Sequence, residues 1–152
     1  MQRRIIQTLV AAALAVGAHA ASGQTPAQRP ASDIAYEATI PGLQAAMAEG
    51  RTTSARLVEA YLARIRAYDH QGPALNAVIR LNPNARADAR ALDAERRAGN
   101  VRGPLHGIPV VLKDNYSTRD MPTSASSLAL AGLQTTDDAF QVRRLRAAGA
   151  VI

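Results

Sequence analysis

The chain has 152 residues, which suits one ordinary domain. Hydrophobic residues make up 47% and charged residues 20%, the balance of a globular chain and not of a disordered one. There is no cysteine, so a disulfide framework and thiolate metal sites are excluded. Trp is absent and there are only four Tyr and one Phe, too few aromatic platforms for a protein that stacks bases. The formal charge of +6 rests on 17 Arg and a single Lys. The arginines are interleaved with acids along helical stretches (Glu59, Arg64; Asp93, Glu95, Arg96, Arg97) and form no stripe, so no nucleic-acid partner is expected.

Residues 1–20 read as a secretory signal peptide. Arg3-Arg4 supplies the basic region, Ile5 to Gly17 the apolar core, and Ala18-His19-Ala20 the cleavage pattern. The apolar core is shorter than the ~20 residues a membrane-spanning helix needs. Export to the periplasm or beyond is therefore expected, with cleavage after Ala20 and no stable membrane association afterwards. Removing this segment lowers the formal charge from +6 to +4. Residues 21–39 begin with small and polar residues and two prolines, and read as a flexible leader.

The folded part begins near residue 40. Pro41 to Gly50 reads as a short helix with Leu43, Ala46 and Met47 on one face. Thr53 is placed to cap a second helix running to Tyr68, whose stripe is Leu57, Val58, Tyr61, Leu62 and Ile65. Gly72-Pro73 breaks the chain, and the apolar run from Ala74 to Leu81 reads as a buried strand. Asn82-Pro83 reads as a cap followed by proline at the first helical position, opening a helix to Arg97 that Gly99 stops. Val110-Val111-Leu112 reads as an inner strand. Asp137 or Asp138 is placed to cap a helix carrying Phe140, Val142 and Leu145, closed by Gly149. Ala150-Val151-Ile152 starts another strand. Alternating helices and apolar strands give an α/β architecture, and a chain ending inside a strand reads as incomplete.

Lys113 is the chemical candidate. It follows an apolar strand and is the only lysine in a chain that otherwise uses Arg for positive charge. Arg does not give up its proton in a protein, whereas a desolvated Lys can act as a base. The bland alternative is a solvated lysine at a strand end.

The residues around Lys113 add a resemblance. Gly103-Pro-Leu-His-Gly-Ile-Pro-Val-Val-Leu-Lys-Asp-Asn115 and Met121-Pro-Thr-Ser-Ala-Ser-Ser127 closely resemble the amidase signature family. Thr53 to Ile65, Leu75 to Ile79 and Asn82 to Ala85 resemble the helix, strand and helix that precede this stretch. The similarity covers roughly residues 40–152.

The resemblance implies a mixed β-sheet covered by helices on both sides, with residues 40–152 as the N-terminal part of one amidase domain. It implies hydrolysis of a small carboxamide substrate to a carboxylic acid and ammonia or amine, without a metal or cofactor. The family's catalytic set is a serine nucleophile, a second serine at a cis peptide bond and a lysine, and Lys113 is the matching lysine. The serine-bearing segment does not occur in these residues and would follow Ile152. Asp114 and Ser127 are implied supporting residues, Asp114 by fixing Lys113 or the adjacent backbone. Ser126 stands where the family commonly has glycine, and His106 has no catalytic role there. A self-contained dyad of Lys113 with Ser124, Ser126 or Ser127 is an alternative source of activity. Two further readings stay open: a non-catalytic remnant or binding module, and the glutamine-hydrolysing subunit of a tRNA-dependent amidotransferase.

Overall fold

The computed structural model describes residues 34–152. The signal peptide and most of the leader expected from the sequence lie outside these residues. Four α-helices follow in chain order: α1 (Ile40–Ala48), α2 (Ser54–Tyr68), α3 (Ala85–Arg97) and α4 (Phe140–Ala147), with a short 3-10 turn at Leu128–Leu130. None of the described helices is long and apolar enough to cross a membrane.

The first two helices start at threonine caps, the second at the expected Thr53. Thr39 Oγ1 accepts from Gly42 N at 3.2 Å, and Thr53 Oγ1 accepts from Arg56 N at 3.2 Å. Each satisfies one amide of a first turn that has no partner within its own helix. A second cap on α2 comes from far along the chain. The buried Asp93 of α3 accepts from Ser54 N at 2.7 Å and Ala55 N at 3.0 Å. Its negative charge also sits at the positive end of the α2 dipole.

α2 is the centre of the core. One edge, with Leu57 and Ala60, packs with Leu43 and Met47 of α1 and with Ala35 and Ile108. The adjoining edge, with Val58 and Leu62, packs on Ala85, Ala89 and Leu92 of α3 and on Val151. The small residues of α3 let the two helices approach closely. Ile108 and Val151, one in each cluster, are joined through the backbone.

That join is the fold's β component. Val110 N donates to Val151 O at 2.8 Å and Val151 N to Ile108 O at 2.9 Å, pairing Pro109 and Val151 in parallel. The crossover between them carries the loops of residues 114–139 and α4, as a parallel pair requires. Thr118 and Met121 form an antiparallel bridge within those loops. The described residues thus show helices packed on a short parallel pairing, which is α/β. The start of a strand expected at Ala150–Ile152 is present as this pairing, but Val110–Leu112 is not the inner strand its composition suggests: the paired residue is Pro109, Val110 contributes its amide, and Val111 has already turned outward and is 85% exposed.

Three further local expectations need correction. The run Ala74 to Leu81 is not a buried strand. Leu75, Ile79 and Leu81 are exposed, and Ala74 and Asn76 have φ of 52° and 49°, in the left-handed region. Its amides go to the C-terminal end of α2 instead of to a neighbouring strand. Asn76 N donates to Asp69 O, and Ala77 N and Val78 N donate to the Asp69 carboxylate at 2.7 and 3.2 Å. The third helix starts at Ala85 and not at Pro83, because Asn82 Oδ1 accepts from Asn84 N at 2.8 Å in a local turn. Neither Asp137 nor Asp138 caps α4, whose N-cap position is Ala139. The Asp138 carboxylate accepts from Arg119 N at 2.9 Å and pairs with Arg146 at 3.1 Å. In the last case a side chain suited to a cap has taken other partners.

Candidate active site

The segment that presents Lys113 is fixed from both sides before it reaches the lysine. His106 is fully buried, with Nε2 2.9 Å from Leu92 O and Nδ1 accepting from Arg102 N at 3.3 Å. With Nδ1 accepting, Nε2–H donates to Leu92 O and the ring bridges α3 to the loop. The His106 carbonyl accepts from Gln44 and Arg96 side chains at 3.0 and 3.1 Å. Ser54 Oγ donates to Gly107 O at 2.8 Å, and Gly107 N donates to Gly149 O at 2.7 Å. Gly149 is required here: its φ is +86°, and a Cβ would lie 2.8 Å from His106 Cα. His106 is a structural anchor in this fold.

Beyond the paired residues Ile108–Val110 the chain runs along a cleft of about 600 Å³. Its lining includes Ala77 to Leu81, part of the run whose composition suggests a strand, together with Val110 to Asp114 and with Val58, Leu62 and Val151. Lys113 lines this cleft, is exposed, and makes a turn in which its carbonyl accepts from Tyr116 N at 3.1 Å. No hydrogen bond or ion pair of its ammonium group occurs among the described residues.

Asp114 faces the hydroxyl-rich loop. Ser124 N lies 3.3 and 3.2 Å from its two carboxylate oxygens, Ser124 Oγ also donates to it, and its carbonyl accepts from Ala125 N at 2.9 Å. The Ser124 hydroxyl bond holds its pKa below the ordinary aspartate value. The Ser124 and Ser126 amides and the charge of Arg80 act in the same direction, against a raising effect of burial. Asp114 therefore makes its observed bonds with the loop at residues 122–127 and not with Lys113. The turn it secures is strained, since Ala125 and Ser126 have φ of 49° and 63°. Ser126 thus adopts the left-handed conformation that a glycine adopts readily.

Ser127 N donates to Ser124 O at 2.8 Å, and the Ser127 carbonyl accepts from Leu130 N at 3.1 Å, which starts the 3-10 turn. Ser127 holds the loop through its backbone. The Ser124 hydroxyl is bound to Asp114, and no hydroxyl of Ser124, Ser126 or Ser127 is hydrogen-bonded to Lys113.

Behind this loop, Arg146 of α4 contacts three carboxylates: Asp120 at 2.8 Å, Asp138 at 3.1 Å and Asp88 at 3.8 Å. Asn82 bridges Asp120 and the Ile152 carbonyl at 3.2 and 3.0 Å. This cluster ties the loops, α3, α4 and the end of the paired segment together. Its members are far apart in sequence, and only the fold reveals the grouping. Arg80 is likewise indistinct in the sequence among the many arginines. In the structure it lines the same cleft as Lys113 and donates from Nη2 to Ala131 O at 2.5 Å.

Comparison with known proteins identifies the family. Residues 56–152 match the Amidase family. The native peptide amidase of Stenotrophomonas maltophilia is 55% identical and superposes with a TM-score of 0.74, covering 76% of this chain and 24% of that one. A Schizosaccharomyces pombe relative named as an amidase is 46% identical over 117 residues, 76% of this chain and 20% of its own length. A glutamyl-tRNA(Gln) amidotransferase subunit of Chloroflexus aurantiacus is 43% identical over 118 residues, 77% of this chain and 24% of its own. The chain belongs to the amidase family. It spans about a fifth to a quarter of the length of the relatives it matches.

Proposed function

We propose that this chain is the N-terminal part of an exported amidase. The enzyme would hydrolyse a carboxamide C–N bond to a carboxylic acid and ammonia or amine. The observation that carries the reading is the placement of Lys113, set at the end of a doubly anchored, backbone-paired segment and lining an apolar cleft. Within this reading residues 1–20 are the signal peptide, 21–39 the leader and 40–152 the first part of the amidase domain. The two serines of a Ser–cis-Ser–Lys set follow Ile152.

A serine hydroxyl is a weak nucleophile and needs an adjacent base. Lys113 in its neutral form takes the proton of the bridging serine. The bridging serine takes that of the nucleophile, which attacks the amide carbonyl. The proton returns to the leaving nitrogen, ammonia or amine departs, and water releases the acyl group by the same route. Asp114 and Ser127 support this by holding the 122–127 loop beside Lys113. An amidotransferase subunit would use the same lysine, but export separates this chain from a tRNA-dependent reaction.

The test is kinetic, on the protein as its gene encodes it. Lys113→Ala should lower kcat by at least ~10², the scale for loss of a general base, with folding intact. Near-normal turnover would refute the role. Residues 21–152 produced alone should show no amide hydrolysis, and Lys113-dependent turnover by that piece would revive the Ser–Lys dyad.

A further inference from the structure

α2 and α3 pack against each other through Val58, Leu62, Ala85, Ala89 and Leu92, and their polar sides turn outward together. The acids of the two helices are almost all committed elsewhere. Asp93 is buried under the first turn of α2, Glu95 pairs with Arg102, and Asp88 lies 3.8 Å from Arg146. Glu59 alone remains on the outer side, and Arg86 takes both of its carboxylate oxygens, at 2.5 and 3.1 Å. Arg56 and Arg90 flank this pair: with Arg86, Glu59, Ala55 and Ala60 they line an open groove of about 440 Å³. Arg66 is near enough for its charge to act on Glu59. The Glu59 carboxyl lies below the ordinary glutamate value; the hydrogen bond from Arg86 lowers it most, burial raises it, and the charges of Arg86, Arg66 and Arg90 lower it further. All four arginines are exposed. The outer side of α2 and α3 thus presents four guanidiniums around one carboxylate that is already occupied. No basic stripe shows in the linear sequence, because these arginines come from two helices and the acids interleaved with them turn to other elements.

We propose that this face docks the protein reversibly on a membrane surface bearing anionic phospholipid headgroups. A guanidinium meets a phosphate through two parallel hydrogen bonds. Arg56 and Arg66 are ten residues apart, about 15 Å along α2 at the rise of a helix. The axis of α3 lies about 8–10 Å to the side, the usual spacing of packed helices. A patch of that width exceeds one small anion and suits several anionic groups presented in a plane. Its relief is low: Ala55 and Ala60 line the groove, and Ala63, on the same side of α2 as Arg56 and Glu59, is exposed. The long arginine side chains therefore reach a flat surface first. No large apolar side chain lines the groove, so the attraction is electrostatic, without the inserted apolar face of an interfacial helix. The protein is held near the membrane and not anchored in it. The choice of a lipid surface over other polyanions rests on the export reading, which releases the chain beside a membrane; the anion-binding face itself does not.

The test is vesicle co-sedimentation with the complete protein after signal removal. The probes are vesicles of phosphatidylglycerol and phosphatidylcholine in equal parts, and vesicles of phosphatidylcholine alone. At an ionic strength of about 0.05 M the protein should sediment with the anionic vesicles only, and about 0.5 M salt should release it. Arg56→Gln/Arg90→Gln should lower the partition coefficient at least about tenfold, since each basic residue near an anionic surface contributes about fivefold. Arg143→Gln/Arg144→Gln removes the same charge from the exposed side of α4 and should change it less than about threefold. Urea unfolding confirms that both variants fold. No sedimentation of the unsubstituted protein with anionic vesicles would overturn the proposal. So would equal losses in the two variants, which would mark an effect of net charge alone. Binding to polyglutamate that requires Arg56 and Arg90, without binding to vesicles, would overturn the membrane assignment in favour of an acidic polypeptide. Vesicle binding needs neither Lys113 nor turnover, so its failure leaves the amidase reading standing.

Discussion

Asp93 caps α2 from a position 38 and 39 residues away in sequence, and its removal has a calculable cost. Its carboxylate accepts from two amides at 2.7 and 3.0 Å, and the residue is 7% exposed. In Asp93→Ala both amides lose their acceptor in a site water reaches poorly, at about 1–3 kcal/mol each. The lost charge at the helix N-terminus adds about 0.3–1 kcal/mol. The expected destabilisation is about 2–7 kcal/mol, a large part of a typical stability of roughly 5–15 kcal/mol. With a urea slope of about 2 kcal/mol/M the unfolding midpoint should fall by about 1–3.5 M. Hydrogen exchange supplies a local readout: the amides of Ser54 and Ala55 should lose protection more than those of α4. Asp93→Asn keeps an acceptor oxygen without the charge and should recover part of the loss. A midpoint shift below about 0.25 M for the alanine variant would show that α2 holds its first turn without Asp93.

Three further outcomes follow from the same geometry. Asp114 titrates below the ordinary aspartate value when folded, so its contribution to stability is present above that ordinary value and is lost as pH falls through the lowered one; urea midpoints across pH 2–6 should show this slope, and Asp114→Asn should reduce it. Gly149→Ala places a Cβ 2.8 Å from a backbone atom at a φ of +86°, and should destabilise by at least ~2 kcal/mol, whereas an exposed Gly132→Ala, with nothing within 4 Å, should change stability by less than ~1 kcal/mol. N-terminal sequencing of exported protein should begin at Ala21, and an intact Met1 or Gln2 on protein from a periplasmic or secreted fraction would defeat the export reading.

The helices were legible because their signals are local. Thr39 and Thr53 cap the turns that follow them, and the stripe of α2 recurs at helical spacing. Where the sequence misled, a local signal met a more distant partner. Asp138 suits a helix cap, but Arg119 and Arg146 claim its carboxylate from 19 and 8 residues away. The apolar run Ala74–Leu81 has a strand's composition, yet its amides bond to Asp69 and its side chains line a cleft. The pairing of Ile108–Val110 with Val151 spans some forty residues, and hydrophobicity gives each segment without giving the pairing. At the candidate site, Lys113 and Asp114 stood out through neighbouring residues that resemble the family. The loop contact of Asp114 could not be read that way, because nothing in the sequence says which of several serines faces it.

The central claim is that Lys113 moves a proton and does not merely supply charge. The most direct measurement compares kcat for Lys113→Ala and Lys113→Arg in the complete protein, with unfolding curves confirming that both variants fold. A base role predicts that both lose at least ~10² in kcat, because arginine retains the charge but does not release a proton. An arginine variant with near-normal kcat would contradict it.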